Sequence, residues 1–364
     1  MSTEPERNNS LPTVRRPIHR RPANESAGRT LLVQTSYLGD TILSTPLIAA
    51  LHQLHPRTQL WLMTTPAAAG LVANDPLVHR VIAYDKHGRD RGFAGILRMR
   101  RRLRGIGFDR AYALQRSYRT ACMLRLSGIP HLTGFRSAKF SLAFHSRQVR
   151  RADEHDVLRN LDLLAGEAPL TAFATSLRLF PPPVARIDPE LAAHIRNPKP
   201  YVLLVPGSAW KTKRWHWQHY RTVAGRLLDR GYRVLLMGAA ADRSVSRRVA
   251  SGLPVVDLAG TTSVPAAMTL VKHAAGVVCN DSMALHLASA FRKPCVVVFC
   301  ATSPAFGFGP WQNPNAVVVE AQDLACKPCA RHGGRHCPTG TQACMEALEP
   351  EAVLDALESV LPAP

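Results

Sequence analysis

Short runs rich in Val, Leu and Ile recur along almost the whole chain, each followed by a segment of helical periodicity, and this alternation leaves few architectures open. A strand that is apolar at every residue must be covered on both faces, and helices inserted between successive strands supply the covers, so the pattern predicts parallel sheets between helix layers. In the first half, Thr30–Thr35, Gln59–Met63, Val78–Ala83 and Ala111–Leu114 read as strands, with an Arg-studded helix over Phe93–Arg104. Around Phe180-Pro181-Pro182-Pro183 the alternation stops, and a proline-rich passage runs to Pro198 and Pro200. It then resumes with strands at Tyr201–Val205, Arg233–Met237, Val255–Leu258, Val277–Cys279 and Cys295–Phe299, and with helices at Trp217–Arg230, Pro265–His273 and Met283–Ala290. The fold class is therefore α/β, two doubly wound, Rossmann-like domains. A length of 364 residues gives each domain a core of ordinary size.

The boundaries follow from composition. Residues 1–28 are polar, carry Pro and Arg, and lack the apolar run of a secretory signal, so they read as a disordered basic tail. The first domain is expected over 29–180, a linker over 181–200, and the second domain over 201–364, closing with a helix at Pro350–Leu361 and containing a Cys-rich segment at 326–344. No run of eighteen uncharged apolar residues indicates a spanning helix.

The formal charge is +20, and it is unevenly spread. Between Lys86 and Arg151 there are 17 Lys/Arg against only Asp90 and Asp109, which places +15 in this stretch. A local excess of this kind reads as a docking surface for an anionic partner. Nucleic acid is one such partner, but no recognised nucleic-acid fold or aromatic platform accompanies the arginines.

In open α/β sheets ligands bind beyond the carboxyl ends of the strands, so the loops after strands are where chemistry is expected. Three such loops carry suitable residues. Ser36-Tyr37-Leu38-Gly39-Asp40 puts a glycine and an acid at the start of a helical region; an Asp at such a place most often serves as an N-cap. Pro206–Trp215 offers Gly207 for close approach, Ser208 as a hydroxyl, and Lys211 and Lys213 as charges for a phosphate, without the spacing of a Walker loop. Asn280-Asp281-Ser282-Met283-Ala284-Leu285-His286 sets Asp281 and His286 about a turn apart where a helix begins.

Taken together and in this order, the three loops resemble those of glycosyltransferase family nine, the ADP-heptose:lipopolysaccharide heptosyltransferases. Leu38-Gly39-Asp40 with Ser44-Thr45-Pro46 is similar to the family's first signature, Lys213-Arg214-Trp215 to its donor-phosphate loop, and Asn280-Asp281-Ser282 with His286-Leu287-Ala288 to its donor signature. Phe108-Asp109, Gln115, Gly134-Phe135, Asn160-Leu161-Asp162 and Gly238 are weaker echoes, and Met283 stands where the family commonly has glycine. The resemblance implies a GT-B fold, with the two domains facing each other across a cleft, and an inverting transfer of heptose from ADP-heptose to a Kdo or heptose acceptor on lipid A. Asp40 would act as base and Lys213 would help the departing diphosphate, with no catalytic metal or other cofactor. Ser208, Lys213, Asp242, Asp281, Ser282 and His286 would hold the donor; Gln115, Arg116, Arg119 and Arg136 would meet the acceptor. The implied location is the cytoplasmic face of the inner membrane, in peripheral contact with its anionic surface and with no nucleic acid bound beyond the nucleotide. A same-family enzyme using another nucleotide sugar or surface-glycan acceptor, and a non-enzymatic basic nucleic-acid-binding protein, are the alternatives.

Of the eight cysteines, Cys122, Cys279, Cys295 and Cys300 lie in apolar contexts and read as core residues. Cys326, Cys329, Cys337 and Cys344, with His332 and His336 between them, have the ligand types of a structural zinc site. Reduced thiols and a disulfide remain the other readings.

Overall fold

The strands expected to be apolar throughout are buried along nearly their whole length, and they assemble into two separate sheets. The computed structural model describes residues 28–363, so the expected tail over 1–28 lies, but for Gly28, outside the described residues. The first sheet contains β1 (Arg29–Gln34), β2 (Gln59–Thr64), β3 (Arg80–Ala83), β4 (Arg110–Ala113), β5 (His131–Phe135) and β6 (Ser146–Gln148), in the order β3-β2-β1-β4-β5-β6. The second contains β7 (Tyr201–Val205), β8 (Arg233–Leu236), β9 (Val256–Asp257), β10 (Gly276–Asn280), β11 (Cys295–Phe299) and β12 (Ala316–Glu320), in the order β12-β11-β10-β7-β8-β9. Every pairing is parallel. Each sheet is thus wound outward from one pair of neighbours, β1/β4 and β7/β10. At these pairs the chain departs in opposite directions and leaves a crevice at the carboxyl ends.

Strands β5, β6 and β12 were not anticipated. β5 (HLTGF) carries a glycine and β6 (SRQ) is short and polar, so neither has a sustained apolar run; β12 is an edge strand that is only half-buried. The linker over 181–200 is not featureless either. Asp188 accepts hydrogen bonds from Glu190 N at 2.9 Å and Leu191 N at 3.4 Å, and with Pro189 in the first turn it starts a helix, Pro189–Arg196.

The two domains share a seam. One hydrophobic cluster includes Leu32 and Leu62 of the first sheet together with Leu203 and Val277 of the second. From the helix Asp156–Leu161, the buried Arg159 donates to Phe306 O at 2.8 Å in the second domain and also to Ala152 O. Beside it, His155 stacks on Trp311 with ring centroids 4.4 Å apart and shares a 3.1 Å hydrogen bond with Gly309 O. A buried guanidinium spanning a seam leaves carbonyls unanswered when it is removed. Arg159→Met is therefore expected to destabilise the fold by roughly 2–3 kcal/mol, read as a lower urea midpoint. An unchanged midpoint would mean that this contact does not hold the domains together.

Candidate active site

The three loops singled out above emerge at the two crevices: the one after β1 in the first domain, and those after β7 and β10 in the second. In the second domain, Asn280 at the end of β10 joins the two loops. Its amide donates to Pro206 O at 2.9 Å and its carbonyl accepts from Trp215 N at 3.0 Å. Sequence reasoning placed Asn280 in a motif without giving it this task; a buried Asn ending an apolar strand was the available signal. The loop so held brings Lys213 Nζ to 2.6 Å from Asp281 Oδ2, an oxygen that also accepts from Thr302 Oγ1 at 2.8 Å. Ser208 Oγ donates to Asp281 O at 3.1 Å.

Ser282 stands at the N-cap position of the helix Met283–Ala290 without bonding its amides. Ser282 Oγ and His286 Nδ1 are both buried without a hydrogen-bond partner, whereas buried polar atoms are almost always satisfied. Burial pushes His286 down to about 4, so the imidazole is neutral near pH 7. An ammonium, a helix N-terminus and two unanswered polar atoms make a site suited to a phosphate group. At Met283 the backbone avoids the left-handed region, and the side chain packs on the core. Asp242, expected at the donor ribose, lies under Gly207, where one oxygen accepts from Ala239 N at 3.0 Å and the other pairs with Arg214 at 3.2 Å.

Facing this group is Asp40. The helix begins at Leu38, so Asp40 sits within its first turn rather than at its cap, and its Oδ2 accepts from Tyr37 N at 3.2 Å. Burial, with the Asp156 carboxylate nearby, pushes Asp40 up to about 6, against the opposing effects of Tyr37 N–H, the Arg150 guanidinium and the Ser36 hydroxyl. A carboxyl of that strength is ionised at neutral pH and still basic enough to draw a proton from a hydroxyl. Gly39 makes the approach to the second domain: a Cβ there would lie 2.8 Å from His286 Cδ2 and 3.2 Å from Nε2.

The expected acceptor residues separate. Gln115 Nε2 donates to Ser36 Oγ at 2.8 Å and Gln34 Oε1 at 2.6 Å, which places it beside the Asp40 loop. Arg116 is in the cleft, within electrostatic reach of Arg150, Arg331 and Asp156. Arg119, by contrast, is tied down, donating to Tyr84 OH at 2.6 Å and to Asp90 O. Arg136 donates to Arg147 O at 3.2 Å, joining the ends of β5 and β6. Arg150 and Asp156, bonded to each other beside Asp40, were missed. Nothing local in the sequence marks them, because they reach the site from the loop beyond the last strand of the first sheet and from the helix after it.

The Cys-rich segment holds the four cysteines expected as candidate zinc ligands. All four cysteines are free thiols, and among the described residues no group of three or more His, Cys, Asp or Glu side chains is arranged to hold a metal ion. The Cys329 thiol donates to Cys326 O at 3.0 Å, Cys337 Sγ meets Thr339 Oγ1 at 3.3 Å, and Cys344 is buried in the second domain's core. The four are nonetheless within electrostatic reach of one another: Cys329 and Cys344 are both raised, first by burial and then by the other cysteines of the segment.

A sequence profile of glycosyltransferase family 9 (heptosyltransferase) matches residues 96–338, two thirds of the chain. The chain belongs to glycosyltransferase family 9. As a member it is a glycosyltransferase. Lipopolysaccharide heptosyltransferase 1 of Pseudomonas aeruginosa is 28% identical over 365 residues, covering 92% of this chain and 99% of that one. Lipopolysaccharide heptosyltransferase 2 of Escherichia coli K12 is 26% identical over 304 residues, 76% of this chain and 84% of that one. Among solved structures, the family 9 glycosyltransferase of Veillonella parvula superposes with a TM-score of 0.80 at 19% identity over 93% of this chain and 99% of that one. ADP-heptose LPS heptosyltransferase II of E. coli gives 0.72 at 23% identity over 91% and 98%. The fold is therefore GT-B.

In this glycosyltransferase the distance between Asp40 and the phosphate site is set by the bare Cα of Gly39. Gly39→Ala is expected to push the first-domain helix off His286 and to lower the transfer rate by about tenfold or more, since small misplacements are costly in catalysis. Nucleotide affinity should stay near the parent value. A variant with unchanged transfer would show that the close approach is not required.

Proposed function

We propose that the chain is an inverting, metal-independent heptosyltransferase that moves heptose from ADP-heptose to the inner core of lipopolysaccharide, onto a Kdo or heptose hydroxyl. The observation that carries this reading is the placement of a single basic carboxylate, Asp40, across the cleft from an ammonium and a helix N-terminus with unanswered polar atoms. Asp40 takes the proton of the acceptor hydroxyl as its oxygen attacks the anomeric carbon. The bond from that carbon to the diphosphate breaks on the opposite face, which inverts the centre. Negative charge gathering on the departing ADP meets Lys213 and the amino end of the Met283–Ala290 helix, which supply the stabilisation another enzyme would draw from a divalent cation. Names of the relatives support heptose and lipopolysaccharide, and one solved relative, the E. coli heptosyltransferase WaaC, was determined with ADP.

The same reading sets the enzyme on the cytoplasmic, anionic face of the inner membrane. Among the described residues no helix is long and apolar enough to cross a membrane. Phe93, Leu126, Leu142 and Val149 are exposed large apolar side chains, and all lie in the stretch that carries the basic excess. Apolar side chains projecting among arginines suit an interface of headgroups and acyl chains.

Two measurements test this reading. Purified protein incubated with ADP-heptose and a heptose-deficient lipooligosaccharide should add one heptose by mass spectrometry, undiminished by excess EDTA; no mass gain, or a gain abolished by EDTA, contradicts the proposal. Sedimentation with phosphatidylglycerol vesicles should carry the protein down at low salt, and the Phe93→Ser/Leu142→Ser variant should remain in the supernatant at higher protein recovery. Equal sedimentation of both would remove these side chains from the membrane contact.

A further inference from the structure

The segment between Cys326 and Cys344 carries Arg331-His332-Gly333-Gly334-Arg335-His336, two pairs of a cation and an imidazole separated by two glycines. Its first end is tied to the second sheet: Lys327 Nζ pairs with Glu320 at 2.6 Å and donates to Phe299 O at 3.0 Å, while Cys329 N donates to Ala301 O at 2.9 Å. Its other end is held by the buried Cys344. Between these anchors the glycines dock on the donor-phosphate loop. Gly334 N donates to Thr212 Oγ1 at 2.7 Å, and Thr212 N donates to Gly334 O at 3.1 Å. Gly333, at φ +75°, comes so close that a Cβ would meet Lys213 Cγ at 3.0 Å and Trp210 Cβ at 3.1 Å. Both the left-handed backbone and the approach call for glycine here.

This docking distributes the two pairs. The His332 ring meets Phe308 edge-on with centroids 6.4 Å apart. Arg335 and His336 instead line a cavity of about 530 Å³ together with Trp210, Lys211, Arg214 and, from the first domain, Tyr37. Arg214 is answered by Asp242 at 3.2 Å, but among the described residues Lys211 and Arg335 form no ion pair, and no carboxylate lines the cavity. Unmatched cations around an open space are complementary to an anion. Tyr37 places the cavity beside the base, since its own amide donates to Asp40 Oδ2. The groups assigned above to the donor diphosphate, Lys213, Ser282 and His286, are not among its lining residues.

We propose that this cavity is the subsite for an anionic substituent, phosphate or carboxylate, on the acceptor sugar, and that Arg335 with Lys211 and His336 reads that charge. Acceptor recognition then uses both domains, and the Cys-rich strap is the second domain's share of it. The proposal rests on the reading of Asp40 as the base that activates the acceptor. An acceptor whose charge is held here presents its hydroxyl to Asp40 only when the strap is docked on Thr212.

The test uses the full chain with Lys211→Ala/Arg335→Ala and with the conservative Arg335→Lys. Initial rates are measured while acceptor lipooligosaccharide and ADP-heptose are varied in turn. The acceptor KM should rise about tenfold or more in the double variant and recover in part with lysine, while the ADP-heptose KM and the affinity for ADP stay unchanged. Repeating the assay with acceptor stripped of phosphate, and with acceptor whose carboxylates are reduced, names the source: the form for which parent and variant become equal lacks the group being read. A rise in the donor KM or a loss of ADP binding would instead assign the cavity to the donor and overturn the proposal, as would an unchanged acceptor KM. Equilibrium binding of the acceptor, which needs no turnover, separates the two readings. Weaker binding to the variant when even the parent protein transfers nothing would sink the reaction proposed above and leave the subsite standing.

Discussion

The contact on which the rest of this structure depends is the one between Gly39 and His286. Neither residue has to do chemistry for the contact to matter. A helix that begins at Leu38 in the first domain and a helix that begins at Met283 in the second meet where one of them lacks a side chain. That approach turns two crevices, each unremarkable in a doubly wound sheet, into one cleft with a carboxylate on one wall and an ammonium on the other. It also accounts for the state of the groups involved. His286 is neutral because it is covered, and Asp40 holds its proton unusually tightly because burial and Asp156 both oppose its charge. The seam is then braced away from the chemistry by Arg159, His155 and Trp311.

The order of strands explains why so few residues needed to be recruited. Both sheets are wound from a central pair, so the loops after β1 and β4 and those after β7 and β10 emerge side by side without long excursions. What the loops lack in length they gain from short tethers. Asn280 ties one donor loop to the other, Asp242 and Arg214 brace it from below, and the glycines of the Cys-rich strap cover it. Preorganisation of this kind costs no rearrangement at the moment of reaction. The basic stretch from Lys86 to Arg151 contributes in a different way. A few of its members, Arg116 and Arg150 among them, reach the cleft; Arg119 bonds Tyr84 and Asp90, and Arg136 bonds Arg147.

Much of this was legible in the sequence because it depends on local pattern. The apolar strands, the halving of the chain at the proline-rich passage, and the residues after β1, β7 and β10 are all set within windows of ten or so residues. What escaped was set by tertiary partners. β5 and β6 are too short and too polar to announce themselves, and β12 lies at an edge. Asp156 and Arg150 matter only because the fold returns them to Asp40. Arg119 and Arg136 have the right charge in the right stretch, and their hydrogen bonds to Tyr84 and Arg147, 35 and 11 residues away, could not be read from the sequence. In the Cys-rich segment the spacing of the four cysteines could be read from the sequence, whereas the docking of its glycines on Thr212 and Lys213 depends on a tertiary contact.

The central claim is that one carboxylate, Asp40, weakened as an acid by its surroundings, draws the proton from the acceptor. The measurement that tests it most directly is the pH dependence of kcat/KM for the acceptor under saturating ADP-heptose, in the parent protein and in Asp40→Asn. A general base is active when unprotonated, so the rate should climb as pH rises and level off above a midpoint near the pKa of about 6 that burial and Asp156 give this group. Asp40→Asn should lose the rising limb along with nearly all transfer, while still binding ADP. A profile that is flat through pH 6, or an Asp40→Asn variant that keeps both its turnover and its rising limb, would contradict the account.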